Sequence, residues 1–507
     1  MDFIRRHKFE IIILVILGFV YFISRFYSIL SLPIFTDEAI YIRWAQIAKQ
    51  DANWRFISLT DGKQPMFIWL MMISLRFIQD PLLAGRVVSV GAGFITLIGM
   101  YFLGRAIFKS NKIGLISSAL YVIFPMSLVY DRLALYDSLV GTFVVWGLLL
   151  IILLVRTIRL DVALILGMVI GAGVLTKTNA FFNIYLLPLS LILFDWRGKD
   201  IKDRLIRWLG LTIVVVIITY ALYSVLRLSP FFHIIAEKNA IFVYPLKDWL
   251  DHPFNFFIGN WKAFWDWANR YLTWPLLTLA LLSFFVSKSF LREKIVLFLW
   301  FIIPIVTLGL FGKTLYPRFI FFMLLFLLPL IAFSLVSIGE KIKKTFLFVI
   351  FCILVFALAL KTDFLILTDF SRSNVPVSDI TQYDTDWPAG GGVKESIEFF
   401  KKEAEKGKIY IATQGTFGLL PFAYEIYLVQ NPNITIEGIW PIEKEIPQKV
   451  LEKSKEVPTY FVFYQPCTEC ADVNVGMAPS SWKSLEVIYQ FKKEHGERYF
   501  SVYRVTP

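Results

Sequence analysis

Two adjacent carboxylates follow directly behind the first apolar run of this 507-residue chain, in Phe35-Thr36-Asp37-Glu38-Ala39. An ionised group at the edge of hydrocarbon must be paired, hydrated or neutralised, so this pair is costly to keep there. One use is structural: Thr36 or Asp37 caps a helix running from Glu38 to about Gln50, where the macrodipole favours acids. The other is chemical: a carboxylate can take the proton of an attacking hydroxyl, help worth about 10²–10⁴-fold. If the leaving group is a phosphate, no partner acid is required, but fixed positive charge must meet the negative charge that develops. Lys63, Arg132 and Arg318 are the candidates, in Asp61-Gly62-Lys63-Gln64-Pro65, Asp131-Arg132-Leu133-Ala134-Leu135-Tyr136-Asp137 and Tyr316-Pro317-Arg318. Each has a plainer use. Lys63 reads equally as a solvated loop lysine, Arg132 as a helix-end partner of Asp131, Arg318 as an interfacial anchor and Asp137 as an N-cap. Lys177, in Leu175-Thr176-Lys177-Thr178-Asn179, reads as the mark of a short turn.

The elements that must hold these residues are membrane helices. The chain is 57% hydrophobic and 17% aromatic, and repeated apolar runs of about 18 or more residues mark an integral membrane protein. No small-residue cleavage site follows Ile11–Leu30, so that run reads as a span and not a signal peptide. A net charge of +12 would suggest nucleic acid as partner of a soluble protein. Here most of the excess sits in short loops, where positive-inside topology accounts for it and no nucleic acid is expected. Three cysteines exclude a disulfide scaffold. Cys352 reads as apolar filler, and the lone Cys467-x-x-Cys470 reads as structural, because no second pair or His cluster supports zinc.

Arg5, Arg6 and Lys8 put the N-terminus in the cytoplasm. Met66–Ile78, about 13 apolar residues, is too short to cross and reads as a helix lying on the outer face. Spans follow at roughly 84–108, 113–130, 138–155, 160–176, 178–194, 207–228, 271–289, 294–311, 317–338 and 345–368. This parity, about eleven spans, puts the basic loops inside. Asp37, Glu38, Lys63, Arg132, Asp137, Lys177, Tyr316 and Arg318 then share the outer side at the ends of different helices. An aromatic loop at about 229–270 joins them there, whose Trp249, Trp261, Trp265 and Trp267, with Trp274 just beyond, suit a headgroup belt or a sugar-stacking surface. No internal repeat of fixed period is apparent, which argues against an inverted-repeat transporter.

Beyond about Ser371 the composition changes, with Gly390-Gly391-Gly392 in a linker. Strand-length runs at Lys408–Thr413, Ile434–Ile439, Thr459–Tyr464, Leu485–Phe491 and Tyr499–Val505 alternate with helical patterns at Phe417–Gln430 and Ile446–Lys455. The expected organisation is a transmembrane domain over 1–369, with a first extracytoplasmic loop at 32–82, and an extracytoplasmic α/β domain over 370–507.

As an ordered set these motifs resemble a known family. Asp37-Glu38 follows the first span, and Gly62-Lys63-x-Pro65 is followed by Trp69. Gly104-Arg105 closes a span, Arg132-Leu-Ala-Leu-x-Asp137 opens another, a Gly-x-Leu-x-Lys turn ends at Lys177, and Tyr316-Pro-Arg318 opens a late one. Over roughly residues 1–340 the chain resembles the family-39 membrane glycosyltransferases. These include the protein O-mannosyltransferases, the lipid A aminoarabinose transferases and the RgtA/B/C/D-like group. The resemblance implies a polytopic α-helical membrane protein with the glycosyltransferase C-type fold. It also implies a polyprenyl-phosphate sugar donor, an extracytoplasmic active site and inversion at the anomeric carbon. It gives Asp37 a base or acceptor-positioning role with Glu38 beside it, makes Asp137 a second active-site acid, and puts Lys63 on the donor phosphate with Arg318 and Tyr316 in support. The chain departs from many relatives in carrying Gln64-Pro65 where they have two prolines. It also lacks the His-Pro-Pro pattern and β-trefoil of the eukaryotic branch.

The expected activity is therefore transfer of a sugar from a polyprenyl-phosphate donor to a hydroxyl of a protein, glycan or lipid, in the cytoplasmic membrane. A divalent cation stays an open option, since its use is uneven across that fold and no ligand cluster demands one. Two rivals remain: a lipid-linked sugar flippase, which would want ionisable groups along a mid-membrane path, and a non-catalytic scaffold with a binding tail.

Overall fold

The computed structural model describes residues 8–466, 475–493 and 498–507. The expectation for Cys467 and Cys470 lies outside the described residues. The chain divides into two compact units. One comprises the chain up to Tyr27 with Arg55–Leu70 and Val87–Pro376; the other comprises Ser28–Trp54, Met71–Arg86 and Val377–Pro507.

The first unit is helical. Among the described residues six helices are long and apolar enough to cross a membrane: Lys8–Phe26, Pro81–Phe108, Tyr136–Thr157, Ile201–Leu228, Leu291–Phe311 and Thr345–Thr368. The pair Pro317–Leu324 and Leu327–Lys341, bent by 48°, makes a seventh if taken together. Phe9, Val15 and Phe19 of the first helix are 66–70% exposed, an apolar face suited to lipid and not to water. The chain is an integral membrane protein.

Other segments expected as spans are shorter or broken, for local reasons. Asn111–Val122 and Pro125–Tyr130 are separate helices, because the residue before a proline is driven out of the helical region; Phe124 is extended. Leu160–Val174 has 15 residues. Phe257–Val286 breaks at Thr273 (φ 63°, ψ 148°), two residues before Pro275. Met66–Ser74, expected as a helix too short to cross and not as a span, has nine residues.

The second unit is built on a five-stranded sheet in the order β2-β1-β3-β5-β4, with β1 Ile409–Gln414, β2 Ile434–Ile439, β3 Thr459–Phe463, β4 Leu485–Lys492 and β5 Tyr499–Val505. β1 runs parallel to β2 and β3, while β5 lies antiparallel to β3 and β4. Every residue of β1 and β3 is buried, as expected for inner strands covered on both faces. Phe461, Phe463, Trp482 and Tyr503 fill the core against Val450.

All five strands fall where the alternating pattern put them. Helix Phe422–Leu428 is shorter than expected. Helix Val393–Lys406, which buries Val393, Ile397, Phe400 and Ala404, was missed: its charged face hid an i, i+4, i+7 apolar stripe. Residues 28–54 and 71–86 belong to this same unit, so the helix that begins with Thr36-Asp37-Glu38 packs with the sheet domain.

Candidate active site

In the second unit, helix Thr36–Gln50 starts earlier than its sequence suggests: Phe35 is the capping residue and is extended (φ −86°, ψ 151°). Thr36 does not cap. Its backbone N–H and its hydroxyl both donate to the Pro388 carbonyl, at 3.0 and 2.9 Å, while Glu38 Oε2 accepts from the Phe35 N–H at 3.0 Å. Glu38 thus does half the work of a capping box, one turn back on its own helix.

Glu38 is fully committed. It is wholly buried, and Arg86 Nε and Nη2 meet its two oxygens at 2.8 Å each. The remaining guanidinium hydrogens go to the carbonyls of Ile29, Leu32 and Pro33. A buried pair is tolerable only when every donor and acceptor is met like this. Asp37 lies about 100° further round the helix, in its first turn and half-buried. The helix is held by Arg43 on Glu425 at 2.5 Å and Gln46 on the Ile426 carbonyl at 2.9 Å. Of the two adjacent acids, one is spent on the fold and the other is half-open at a positive helix terminus.

In the first unit, Asp137 opens helix Tyr136–Thr157 and is 6% exposed. Lys177 Nζ donates to its Oδ1 at 2.9 Å. The same nitrogen stands 4.7 Å from the Phe319 ring centre, and Arg318 lies 5.4 Å from the Tyr316 ring and 6.0 Å from that of Phe319. Phe319 packs edge-on to Phe242 at 5.7 Å, and Lys63 Nζ sits 5.5 Å from the Phe242 ring. Three cations therefore gather around one aromatic pair, and the Asp137 carboxylate holds one of them. Each cation–ring contact is worth roughly 0.5–2 kcal/mol, more where water is excluded. Gly62, at φ 66°, makes the turn that presents Lys63, and Lys238 anchors that loop through Asp61 at 2.5 Å.

Arg132 is placed differently from the other cations. It is 2% exposed, and Nη2 donates to the Tyr27 carbonyl at 2.8 Å. Its expected partner Asp131 is instead the acceptor for Tyr21, Tyr121 and Ser138, with Arg25 Nε at 3.5 Å. Together they tie the turn before Asp137 to the first helix.

Sequence reasoning passed over the partners of two candidate residues. Lys177 read as a turn marker, although a lysine at the end of an apolar run is itself a signal. Arg86 read as part of a span; an arginine six residues into an apolar helix asks for a buried acid. Among the described residues, no group of three or more His, Cys, Asp or Glu is placed to hold a metal ion.

Residues 62–223, which carry Lys63, Arg132, Asp137 and Lys177, match the family described as dolichyl-phosphate-mannose-protein mannosyltransferase. Taken with the helical architecture, that match decides the class. The chain is a glycosyltransferase of the C-type membrane fold. No curated protein sequence matches it. Among solved structures this glycosyltransferase is similar to ArnT from Cupriavidus metallidurans in the apo state, at 14% identity and TM-score 0.56, covering 99% of this chain and 98% of that one. The same protein bound to undecaprenyl phosphate matches at 15% identity and TM-score 0.57, covering 98% of both chains. The archaeal oligosaccharyltransferase AglB from Archaeoglobus fulgidus, in complex with an inhibitory peptide and a dolichol-phosphate, matches at 13% identity and TM-score 0.52. That match covers 90% of this chain and 69% of AglB.

Proposed function

We propose that the glycosyltransferase moves a sugar from a polyprenyl-phosphate donor to an acceptor hydroxyl, with inversion at the anomeric carbon. The reaction takes place on the extracytoplasmic face of the cytoplasmic membrane, with the N-terminus inside and the C-terminal domain outside. The observation that carries this reading is the gathering of Lys63, Lys177 and Arg318 around Phe242 and Phe319. Cations against apolar rings act at low dielectric, where they stabilise a departing phosphate more than they would in water.

A second feature supports a lipid donor. The segment that starts at Pro317 continues to Leu324, Leu327 and Leu330, which line an apolar cavity of about 340 Å³ with Trp265, Trp274 and Phe298. Arg318 and Leu324 are six residues apart, roughly 10 Å along a helix. A lipid with its phosphate at Arg318 would therefore carry its first isoprene units into that cavity. The matched family is described by a dolichyl-phosphate sugar, and the matched ArnT and AglB structures hold undecaprenyl phosphate and dolichol-phosphate.

In this reading Asp37 is the base. The acceptor oxygen bonds to the anomeric carbon as the bond from that carbon to the phosphate oxygen breaks. Asp37 takes the acceptor proton, and polyprenyl phosphate leaves with its charge met by Lys63, Lys177 and Arg318. Asp137 acts by orienting Lys177, Tyr316 by backing Arg318, Glu38 by fixing the helix that bears Asp37, and Arg132 by bracing the turn before Asp137. The acceptor is a hydroxyl of a protein, glycan or lipid.

The test is product analysis. Purified protein in lipid, given labelled polyprenyl-phosphate sugar and envelope extract, should yield free polyprenyl phosphate and a glycosylated acceptor of inverted anomeric configuration. Movement of intact donor between leaflets without release of lipid phosphate would favour the flippase and sink this reading.

A further inference from the structure

Lys493 follows β4, in the last hairpin of the sheet domain, and is 2% exposed. A lysine held away from water normally finds a carboxylate, because an isolated buried cation costs several kcal/mol. Among the described residues none pairs with this one. Its Nζ donates instead to three backbone carbonyls of a single turn: Asp386 at 3.1 Å, Trp387 at 3.4 Å and Ala389 at 2.5 Å. The nearby Asp386 carboxylate is engaged elsewhere, accepting the Trp387 N–H and pairing with Arg498.

The fourth carbonyl of that turn faces the other way. Pro388 accepts both bonds from Thr36. Next to it Phe35 forms an antiparallel bridge with Ala389, and the Gly390 N–H donates to the Ile34 carbonyl at 2.7 Å. Gly390 has no room for a side chain, since a Cβ there would stand 2.7–2.8 Å from Ile34. One lysine therefore fixes a turn from within, and the outer edge of that turn fixes the three residues that launch the helix bearing Asp37. A packing residue such as methionine would fill the same volume without ordering three carbonyls.

We propose that Lys493 is a positioning residue for Asp37, setting the direction of the carboxylate through the Asp386–Ala389 turn and Thr36. This deepens the function proposed above and rests on Asp37 being the base. Near-attack geometry is steep: a displacement of about 1 Å can cost roughly 100-fold in rate.

The test uses the full-length protein in lipid. Lys493→Met should lower kcat by roughly 10- to 100-fold and leave KM for the lipid donor within about twofold, while Lys493→Arg, which keeps the charge and the donors, should recover most of the loss. Thr36→Val removes only the hydroxyl bond to Pro388. It should lower kcat by itself, and combined with Lys493→Met should cost less than the product of the two separate losses, since both act through one turn. If Lys493→Met fails to fold, Thr36→Val decides: a fall in kcat at constant KM supports the proposal, and an unchanged kcat overturns it. A folded Lys493→Met with unchanged kcat, or with its loss in KM alone, also overturns it. Full turnover by Asp37→Asn overturns the assignment of the base and this role with it. An inactive Asp37→Asn beside an unimpaired Lys493→Met overturns the positioning role alone.

Discussion

Arg86 grips Glu38 through two bonds of 2.8 Å, and neither side chain is exposed to solvent. That pairing separates two carboxylates which are neighbours in sequence and would otherwise compete for the same chemical role. Glu38 cannot accept a substrate proton without releasing Arg86 into an apolar interior.

Removing either partner of that pair strands the other as a buried charge, at a cost of about 3–5 kcal/mol. Glu38→Gln and Arg86→Met should each lower the thermal unfolding midpoint sharply. The double variant Glu38→Leu/Arg86→Met should be less unstable than the sum of the single losses. Additive losses would show that the two side chains are not coupled.

Lys177 should matter for the donor. Charge-assisted contacts are worth about 1.5–3 kcal/mol, so Lys177→Met should reduce kcat/KM for the lipid donor by roughly 10- to 100-fold. Asp137→Asn should give a smaller loss, because it leaves the cation in place but less well aimed. Lys63→Met and Arg318→Met should weaken binding of polyprenyl phosphate itself, read by competition with the donor. Unchanged inhibition by polyprenyl phosphate in all three cation variants would remove the phosphate from this cluster.

Much of this was legible in the sequence, and the exceptions share a cause. The five strands of the tail were readable because period-2 alternation is a local signal. Asp37, Asp137 and the cations could be singled out because charge at the end of an apolar run stands out against its neighbours. Partners could not be read in the same way. Thr36 bonds to Pro388 across 352 positions, Arg86 finds Glu38 across 48 and Lys177 finds Asp137 across 40. Nothing in the local pattern of either stretch specifies the other. Helix Val393–Lys406 was hidden for a different reason: glycines ahead of it and eight charged residues within it read as linker, although its apolar positions recur at helical spacing.

Lys493 gives a pH-dependent stability. Burial pushes its amino group down to about 7, whereas in an unfolded chain a lysine titrates near 10.4, by the usual value of about that size. Between those values the unfolded chain binds more protons than the folded one, so folding stability rises with pH across the window, by at most about 1.4 kcal/mol per pH unit. Below about pH 7 the lysine is protonated in both states and the slope from this group vanishes. The unfolding midpoint of the wild type should therefore gain on that of Lys493→Met from pH 7 to pH 9. A constant difference would show that the amino group keeps its proton throughout.

The most direct measurement is single-turnover transfer by purified Asp37→Asn in lipid, with donor saturating and labelled in the sugar. Asparagine keeps the size of the side chain but cannot take a proton at neutral pH. The chemical step should fall by about 10²–10⁴-fold, with donor affinity and unfolding temperature close to those of the wild type. A transfer rate within a few-fold of the wild type would contradict the role given to Asp37.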